Sequence, residues 1–346
     1  MSTKQAANGM IRDDSGIDQA LRPTSWGDYV GQEHIKKNLR IIIDAAKKRA
    51  EAMDHVLFAG PAGLGKTTLA YLVAKEFGAS VKTTSGPALE KTGDLAAILT
   101  NLEGGEVLFI DEAHRMNRLI EEVLYPAMES RKLHLMVGKG PSARSLTLDL
   151  PPFTLIAATT RENLLSSPLR SRFGATFRLD YYGLADIEKI LMRSAKLLGA
   201  EIAPEAVGIL ARASRATPRV ANRLLKRARD YTEVHGASGT MGAGGAGKAM
   251  IDRDAAEKCL DLLQVDAMGL EPHDRKLLDI IIKKFNGGPV GATTLAAALS
   301  EERGVIEDIY EPYLMKIGFL QRTPAGRVAL TAAYEHLGIR QKGSLL

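Results

Sequence analysis

The stretch GPAGLGKTT at residues 60–68 decides the fold class of this chain. It follows the short apolar run VLF at 56–58 and leads into a segment with helical apolar spacing that ends near Phe77. In a strand–loop–helix of this kind, glycines let backbone N–H groups approach phosphates, and the helix N-terminus favours their negative charge. The stretch therefore predicts a phosphate-binding loop, in which Lys66 reaches the β- and γ-phosphates of a nucleotide and the Thr67 hydroxyl binds Mg²⁺.

A second motif, VLFIDEAH at 107–114, ends an apolar strand with two acids. Asp111 is predicted to hold Mg²⁺ through water, and Glu112 to orient and polarise the water that attacks the nucleotide. The alternative is that the two acids only cap the next helix. The letters DEAH also mark helicases with two RecA-like domains, but this sequence shows one nucleotide-binding domain followed by helices, so we exclude that group.

Short apolar runs alternate with helical patterns between about residues 35 and 180. Strands are predicted at 56–58, 80–84, 107–110, 154–158 and 175–179. Wholly apolar strands that alternate with helices are typical of a parallel sheet covered on both faces. The sequence thus predicts an α/β nucleotide-binding domain.

The pattern becomes helical beyond residue 182. Helices are predicted at 187–198, 204–213, 218–234 and 252–263, and the Gly/Ala-rich run at 236–249 is predicted to be a flexible loop. Three further helices, at 274–285, 293–299 and 306–317, precede a hairpin at 319–330, which is the pattern of a winged helix. The predicted units are a flexible tail at 1–20, a nucleotide-binding domain at 21–181, a small helical domain at 182–265 and a winged helix at 266–346.

The composition limits the function classes. Lys and Arg number 46 against 41 Asp and Glu, so the net charge of +5 permits a polyanionic partner without requiring one. Aromatic residues are only 5%, which argues against holding nucleic acid mainly by base stacking. The single cysteine, Cys259, excludes an intrachain disulfide, and no Cys or His pair has the spacing of a zinc site. Because no secretory signal is evident and no apolar run approaches ~18 residues, the sequence predicts a soluble protein of the cytoplasm.

Polar residues near strand ends extend the candidate site. Thr159 and Thr160 close the fourth predicted strand, where a threonine either contacts the γ-phosphate or merely ends the strand. Arg170 and Arg172 lie in SPLRSRFG at 167–174, either as solvated charges or as an arginine finger that stabilises the phosphoryl transition state.

A basic helix supplies another candidate. Arg219, Arg223 and Arg227 share one face of the helix that begins near residue 218, and such a face is usually solvated. Arg219 differs from the other two because it stands at the helix start, from which it could reach the nucleotide.

Taken in order, these motifs resemble the RuvB family of AAA+ ATPases, the motors that drive branch migration of Holliday junctions in bacteria. The resemblance covers about residues 21–337. It depends on the stretches LRPTSWGDYVGQ, DHVLFAGPAGLGKTTLA, TSGPALEKTGDLAAILTNLE, VLYPAME, GKGPSARS, LDLPPFTLIAATTR, SPLRSRFG, TPRVANRLL, DRKLL, GGPVG, EPYL and GFLQRTPAGR. The implied fold is an α/β AAA+ ATPase domain with a parallel sheet, then a small helical domain and a C-terminal winged-helix domain.

The resemblance assigns roles to particular residues of this sequence. Those it places around ATP and Mg²⁺ are Leu21, Arg22, Gly63, Gly65, Lys66, Thr67, Thr68, Asp111, Glu112, Glu129, Ser130, Arg131, Tyr182 and Arg219. Thr160 becomes the γ-phosphate sensor (sensor 1), Arg219 becomes sensor 2, and Arg172 becomes the finger that acts on the ATP of a neighbouring subunit. The sequence departs from the family at Ala62, at Ala113 and over 129–131, and its Gly/Ala loop is longer than usual.

Two hairpins are the predicted interfaces. Leucines alternate along 133–150, which indicates either a hairpin packed on its own core or, by the resemblance, one that docks the junction-binding partner RuvA. Arg322 and Arg327 flank the turn of the wing, and the resemblance makes them contacts to the DNA backbone. The alternative is that these arginines only keep a strand edge soluble.

The implied function is that of a hexameric ring that translocates duplex DNA at four-way junctions with ATP and Mg²⁺, with the resolvase RuvC as a further candidate partner. Two alternatives remain at this stage. A clamp loader is another AAA+ DNA machine, but it commonly carries a collar domain in place of the winged helix. A nucleotide-gated DNA-binding switch would hydrolyse ATP slowly and move nothing.

Overall fold

The computed structural model describes residues 19–137, 144–235 and 250–341. The predicted tail at 1–20 therefore lies almost wholly outside the described residues, and so do the Gly/Ala run at 236–249 and the end of the first hairpin at 138–143. In the part of the chain that is described, no helix is long and apolar enough to cross a membrane.

A parallel sheet forms the centre of the first domain, which confirms the predicted fold class. The strands of this domain are β1 (Val56–Ala59), β2 (Val81–Ser85), β3 (Val107–Asp111), β4 (Lys132–Val137), β5 (Arg144–Asp149), β6 (Thr154–Thr159) and β7 (Ala175–Arg178). The parallel sheet has the order β2-β3-β6-β1-β7, whereas β4 and β5 form a separate antiparallel hairpin. The carboxyl ends of β1, β6 and β3 thus lie side by side, where a phosphate loop, a threonine pair and two acids follow or end them.

Helices cover both faces of the sheet. They are α1 (Glu33–Arg49), α2 (Lys66–Phe77), α3 (Thr92–Thr100), α4 (Arg118–Ser130) and the short α5 (Ser167–Arg170), with 3₁₀ turns at Gly86–Ala88, Ala113–Arg115 and Glu162–Leu164. The strands β1 and β6 are buried along their whole length, because apolar residues on both sides of each strand pack against these helices.

The second domain is helical. It contains α6 (Leu184–Leu198), α7 (Pro204–Ala213), α8 (Pro218–His235) and α9 (Arg253–Leu262), with a short parallel pair of β8 (Glu201–Ile202) and β9 (Met250–Ile251). The helices were predicted within three residues of their bounds, but two-residue strands leave no periodicity in a sequence. The buried residues of this domain join those on one face of the sheet in a single apolar core.

The third domain has its own apolar core and the predicted winged-helix order. Its elements are α10 (Pro272–Lys284), α11 (Ala292–Leu299), α12 (Arg303–Val305), a π-helical turn (Ile306–Tyr310), α13 (Glu311–Lys316), β10 (Leu320–Thr323), β11 (Gly326–Ala329) and α14 (Thr331–His336). The π turn interrupts the helix predicted at 306–317. Pro312 explains the interruption, since a proline has no N–H to bond the carbonyl four residues earlier.

Arg215, in the loop between α7 and α8 of the helical domain, attaches the winged helix to that domain. Its guanidinium binds the fully buried Asp274 of α10, with an Nη1–Oδ2 distance of 2.9 Å, and lies 4.8 Å from the centre of the Tyr313 ring. Removing one member of a buried ion pair strongly destabilises a protein, because the other charge is left buried without a partner. This contact therefore fixes the position of the winged helix relative to the helical domain.

The hairpin of β4 and β5 combines the two alternatives left by its sequence. Leu133 pairs with Leu148 and Leu135 with Leu146, so the predicted apolar stripe is present. Leu133 is fully buried, and Leu135 and Leu148 pack on the domain core, but Leu146 is 45% exposed. The base of the hairpin therefore packs on its own core, and the stripe becomes exposed towards the end.

Candidate nucleotide site

A cleft of about 210 Å³ lies at the carboxyl ends of the central strands, between the sheet domain and the helical domain. The predicted residues that line it are Leu21, Arg22, Gly63, Gly65, Lys66, Thr67, Thr68, Asp111, Glu112 and Arg219; Pro23, Ala62, Pro218 and Asn222 complete the wall. The cleft thus joins segments of the chain that are up to about 200 residues apart in the sequence.

The loop between β1 and α2 is built around its glycines. Gly63 and Gly65 have φ of +81° and +95°, and a Cβ on Gly65 would lie 2.9 Å from the Tyr29 hydroxyl. Lys66 begins the helix, and its Nζ donates to the carbonyl oxygens of Gly60 and Pro61 at 2.7 and 2.8 Å. Burial lowers the pKa of Lys66 to about 8, against the opposing effect of Asp111 and Glu112. The loop therefore has the backbone conformation and the buried cation that bind phosphates.

Thr67 and Asp111 come together as the sequence requires for a magnesium site. The Thr67 hydroxyl donates to Asp111 Oδ2 at 3.0 Å, and Asp111 Oδ1 accepts from the backbone N–H of Glu112. A hydroxyl and a carboxylate are oxygen ligands of the kind that Mg²⁺ prefers, so these two residues fit the ion. No side-chain cap from Glu112 is seen on the 3₁₀ turn that follows, which leaves the capping alternative without support.

The two threonines at the end of β6 have different surroundings. Thr159 is fully buried, and its hydroxyl bonds His114 Nδ1 at 3.0 Å. Thr160 is partly exposed and lines a neighbouring cleft with Pro61 and Arg161, beside the nucleotide cleft and not in its wall. Its role as sensor 1 stays a prediction.

Tyr182 lies behind the phosphate loop. Its hydroxyl donates to the carbonyl of Leu64 at 3.2 Å and contacts the Tyr29 hydroxyl at 3.1 Å, and burial raises the pKa of Tyr182 to about 12. The neutral phenol therefore supports the loop from its rear side. Tyr182 is not among the residues that line the cleft, and its role as a nucleotide contact stays a prediction.

Arg172 and Glu129 form a second cluster, outside the set of residues that line the nucleotide cleft of the same subunit. Arg172 Nη2 donates to Glu129 Oε2 and Nη1 to the Pro168 carbonyl, both at 2.8 Å, and the guanidinium lies 5.0 Å from the Tyr125 ring centre. Ser130 and Arg131 follow Glu129 at the end of α4 and are exposed. The sequence gives no hint of Tyr125, because its aromatic face meets Arg172 only in the folded chain.

The two arginines of the wing are not equivalent. Arg322 is exposed, but Arg327 is only 7% exposed, with its Nε 2.5 Å from Glu311 Oε1 and its Nη2 3.2 Å from Glu307 Oε1. The prediction that Arg327 contacts the DNA backbone is therefore wrong: its guanidinium is committed to two acids inside the domain.

Arg327→Met is expected to lower the free energy of unfolding of the winged helix by about 3–5 kcal/mol, because it leaves Glu311 buried and unpaired. Arg322→Met is the matched control, since Arg322 lies directly opposite in the hairpin and is exposed. It should change stability by less than about 0.5 kcal/mol. Urea unfolding of both variants measures the difference, and equal effects would contradict the buried pairing.

A nucleotide cleft at the end of a parallel sheet, with a small helical domain against its open side, defines an ATPase of the AAA+ class. Family models agree along the chain: "Holliday junction DNA helicase RuvB P-loop domain" matches residues 21–179, "RuvB AAA lid domain" 182–266 and "RuvB C-terminal winged helix domain" 267–338. The chain belongs to the RuvB family, which confirms the resemblance read from its motifs.

Solved structures also support membership of the RuvB family. The Thermotoga maritima RuvB Holliday junction branch migration motor is 46% identical, with a TM-score of 0.83 over 93% of this chain and 99% of that one. A variant of the same protein with a lysine changed to arginine is also 46% identical, with a TM-score of 0.83 over 92% and 99% of the two chains. The protein is accordingly an ATP-driven motor of Holliday junction branch migration.

Proposed function

We propose that this chain hydrolyses ATP with Mg²⁺ in the cleft at the end of β1, at the boundary with the next subunit of a hexameric ring. One observation carries the proposal. Segments at 21–23, 62–68, 111–112 and 218–222 converge on a single cleft, and the last three bring the phosphate loop, the two acids and the arginine that phosphoryl transfer uses.

The residues of the cleft have separate roles in binding and hydrolysing ATP. The N–H groups around Gly63 and Gly65, with Lys66, hold the phosphates, while Thr67 and Asp111 hold Mg²⁺. When bound, Mg²⁺ neutralises charge that develops on the phosphate oxygens. Glu112 accepts hydrogen bonds from the attacking water and orients it. Arg219, at the start of α8, brings a cation from the helical domain, so nucleotide binding favours closure of that domain on the cleft.

The finger acts between subunits. Arg172 is held by Glu129 and Tyr125 on a surface away from its own cleft, which supports a role at the ATP of a neighbour. Glu129, Ser130 and Arg131 belong to the same surface, and we assign them to the same interface. Thr160, next to the cleft, is proposed as sensor 1.

Movement between domains is proposed to drive the DNA. The boundaries we propose are 21–181 for the large ATPase domain, 182–265 for the small one and 266–346 for the winged helix. Changes at the cleft rotate the helical domain, and Arg215 transmits the rotation to the winged helix through Asp274. A motor that crosses any sequence needs phosphate contacts and not base contacts, and the exposed Arg322 is suited to this.

The partners follow from the surfaces. Duplex DNA at four-way junctions in the cytoplasm is the substrate, and the exposed part of the leucine stripe on the first hairpin is proposed to dock RuvA. RuvC, as the resolvase of the same junctions, is proposed to join the assembly.

The direct experiment is migration of a synthetic four-way junction, with and without RuvA, in ATP and in a non-hydrolysable analogue. The proposal expects migration with ATP only. Binding to the junction in both nucleotides, without migration in either, would favour the nucleotide-gated switch.

Arg322→Ala is expected to weaken DNA binding equally on all sequences. If Arg322 contacts one phosphate, the slope of log K against log salt becomes shallower by about 0.9, as for one contact on duplex DNA. Titration at several salt concentrations measures this, and turnover without DNA should not change. An unchanged slope would show that Arg322 contacts no phosphate and that DNA binds elsewhere than at the wing.

A further inference from the structure

Arg161 connects the ATPase domain to the winged helix at a point close to the catalytic acid. It follows the end of β6 by two residues. Its Nε pairs with Asp308, its Nη2 lies 3.8 Å from Glu307 Oε2, and the same nitrogen donates to the Gly304 carbonyl at 3.5 Å. All three acceptors belong to the segment of α12 and the π turn, so one side chain of the ATPase domain is held by the winged helix.

The backbone of Arg161 begins a chain of contacts to Glu112. The Arg161 N–H donates to the Thr159 hydroxyl at 3.0 Å, and that hydroxyl lies 3.0 Å from His114 Nδ1. His114 Nε2 lies 3.4 Å from Glu112 Oε2. With a neutral imidazole, the arrangement that satisfies every contact has Thr159 donating to Nδ1 and Nε2–H donating to Glu112. Burial lowers the pKa of His114, which favours this neutral ring.

Thr159 and His114, the inner members of this series of contacts, are buried and have little conformational freedom. Thr159 is fully buried, and the side chain of His114 is only 7% exposed, whereas that of Glu112 is 41% exposed. A displacement at Arg161 is therefore transmitted through packed groups to the most exposed member of the series, the Glu112 carboxylate.

On the far side, the contacts continue to the wing. Glu307, which faces Arg161, also accepts from Arg327 at 3.2 Å, and Arg327 is the partner of Arg322 across the hairpin. The same Glu307 accepts from the exposed Arg303 at 2.9 Å. The hairpin of the wing and Glu112 are thus the two ends of one series of ion pairs and hydrogen bonds, which passes through the side chain and the backbone N–H of Arg161.

We propose that Arg161 is a positioning residue that couples the winged helix to Glu112, so that engagement of DNA at the wing sets the orientation of the catalytic carboxylate. The inference rests on the proposed role of Glu112 in hydrolysis. It assigns Thr159 and His114 as the intermediates and Asp308 as the group on the winged helix that holds Arg161.

The test compares turnover with and without duplex DNA in the full-length protein. Asp308→Asn removes the charge that holds Arg161 and leaves every residue of the cleft in place. Its turnover without DNA should equal that of the wild type, whereas the change in kcat that DNA produces should shrink about fivefold or more, the lower range of typical coupling between sites. Arg161→Gln should lose the same response, and Arg161→Lys, which can still pair with Asp308, should recover part of it.

Two controls make the result specific. Arg303→Gln removes a different arginine from Glu307 and should keep the DNA response. The double variant Arg161→Gln/Asp308→Asn should behave like either single variant, because both remove one contact. Affinity for DNA, measured in parallel, should be unchanged in Asp308→Asn, which a merely unfolded winged helix would not allow.

A full DNA response in Asp308→Asn, additive losses in the double variant, or a wild type whose turnover DNA leaves unchanged would overturn the coupling. Glu112→Gln, assayed alongside, separates this from the proposed function. If Glu112→Gln retains turnover, the catalytic assignment itself fails; if it is inactive while Asp308→Asn responds normally, only the coupling fails.

Discussion

Glu112→Gln is expected to stop ATP hydrolysis while ATP still binds with nearly wild-type affinity. An amide has the shape of the carboxylate but cannot accept a proton from water, and a general base contributes about 10²–10⁴-fold to turnover. The phosphate-binding groups around Lys66 are untouched, so binding is preserved. Single-turnover hydrolysis and titration with a fluorescent nucleotide measure the two quantities.

Glu122→Gln is the control for this experiment, because it makes the same change at an exposed acid on α4. It should hydrolyse ATP normally. Turnover at the wild-type rate in Glu112→Gln would remove Glu112 from the mechanism and leave the water without an identified base.

Arg172→Ala is expected to fold and bind ATP but to lose about 10³–10⁵ in turnover, the range for an arginine finger. Loss of stability should be small, since Glu129, its partner at 2.8 Å, is largely exposed and such pairs contribute little. Steady-state hydrolysis under conditions in which the ring assembles measures the effect.

Arg170→Ala is the matched control, because Arg170 lies in the same motif and is exposed. The finger assignment requires it to keep most of its activity. Similar losses in both variants would indicate a disturbed interface and not a missing catalytic cation.

The sheet and the phosphate loop were predictable because their signals are local. A wholly apolar strand, a glycine-rich loop and a helical pattern follow one another within about 20 residues at 56–77, and each is explained by its own residues. The carboxyl ends of parallel strands must share one edge, so the meeting of Thr67 with Asp111 also followed from the sequence.

The wing shows why other predictions failed. Arg322 and Arg327 are placed alike by the hairpin, directly opposite each other, yet one is exposed and the other buried. The difference comes from Glu307 in the π turn and Glu311 in α13, which lie 20 and 16 residues before Arg327. Residue spacing within the hairpin contains no information about those acids.

Contacts between side chains that are distant in the sequence could not be predicted for the same reason. His114 stands inside the acid motif and Arg161 directly after the threonine pair, but their link through Thr159 depends on the packing of β3 against β6. The resemblance places Tyr182 around ATP, whereas its contact with the rear side of the phosphate loop depends on the position of Tyr29.

A mixed-ring experiment tests the central claim, that ATP is hydrolysed between subunits, most directly. Lys66→Ala lacks the phosphate-binding cation and Arg172→Ala lacks the finger, so each variant alone should be nearly inactive. In an equal mixture, a cleft from an Arg172→Ala subunit can meet the finger of a Lys66→Ala neighbour at roughly a quarter of the interfaces of a head-to-tail ring. The account predicts that ATP hydrolysis recovers to a fraction of that order, and no recovery at any mixing ratio, in rings shown to contain both variants, would contradict it.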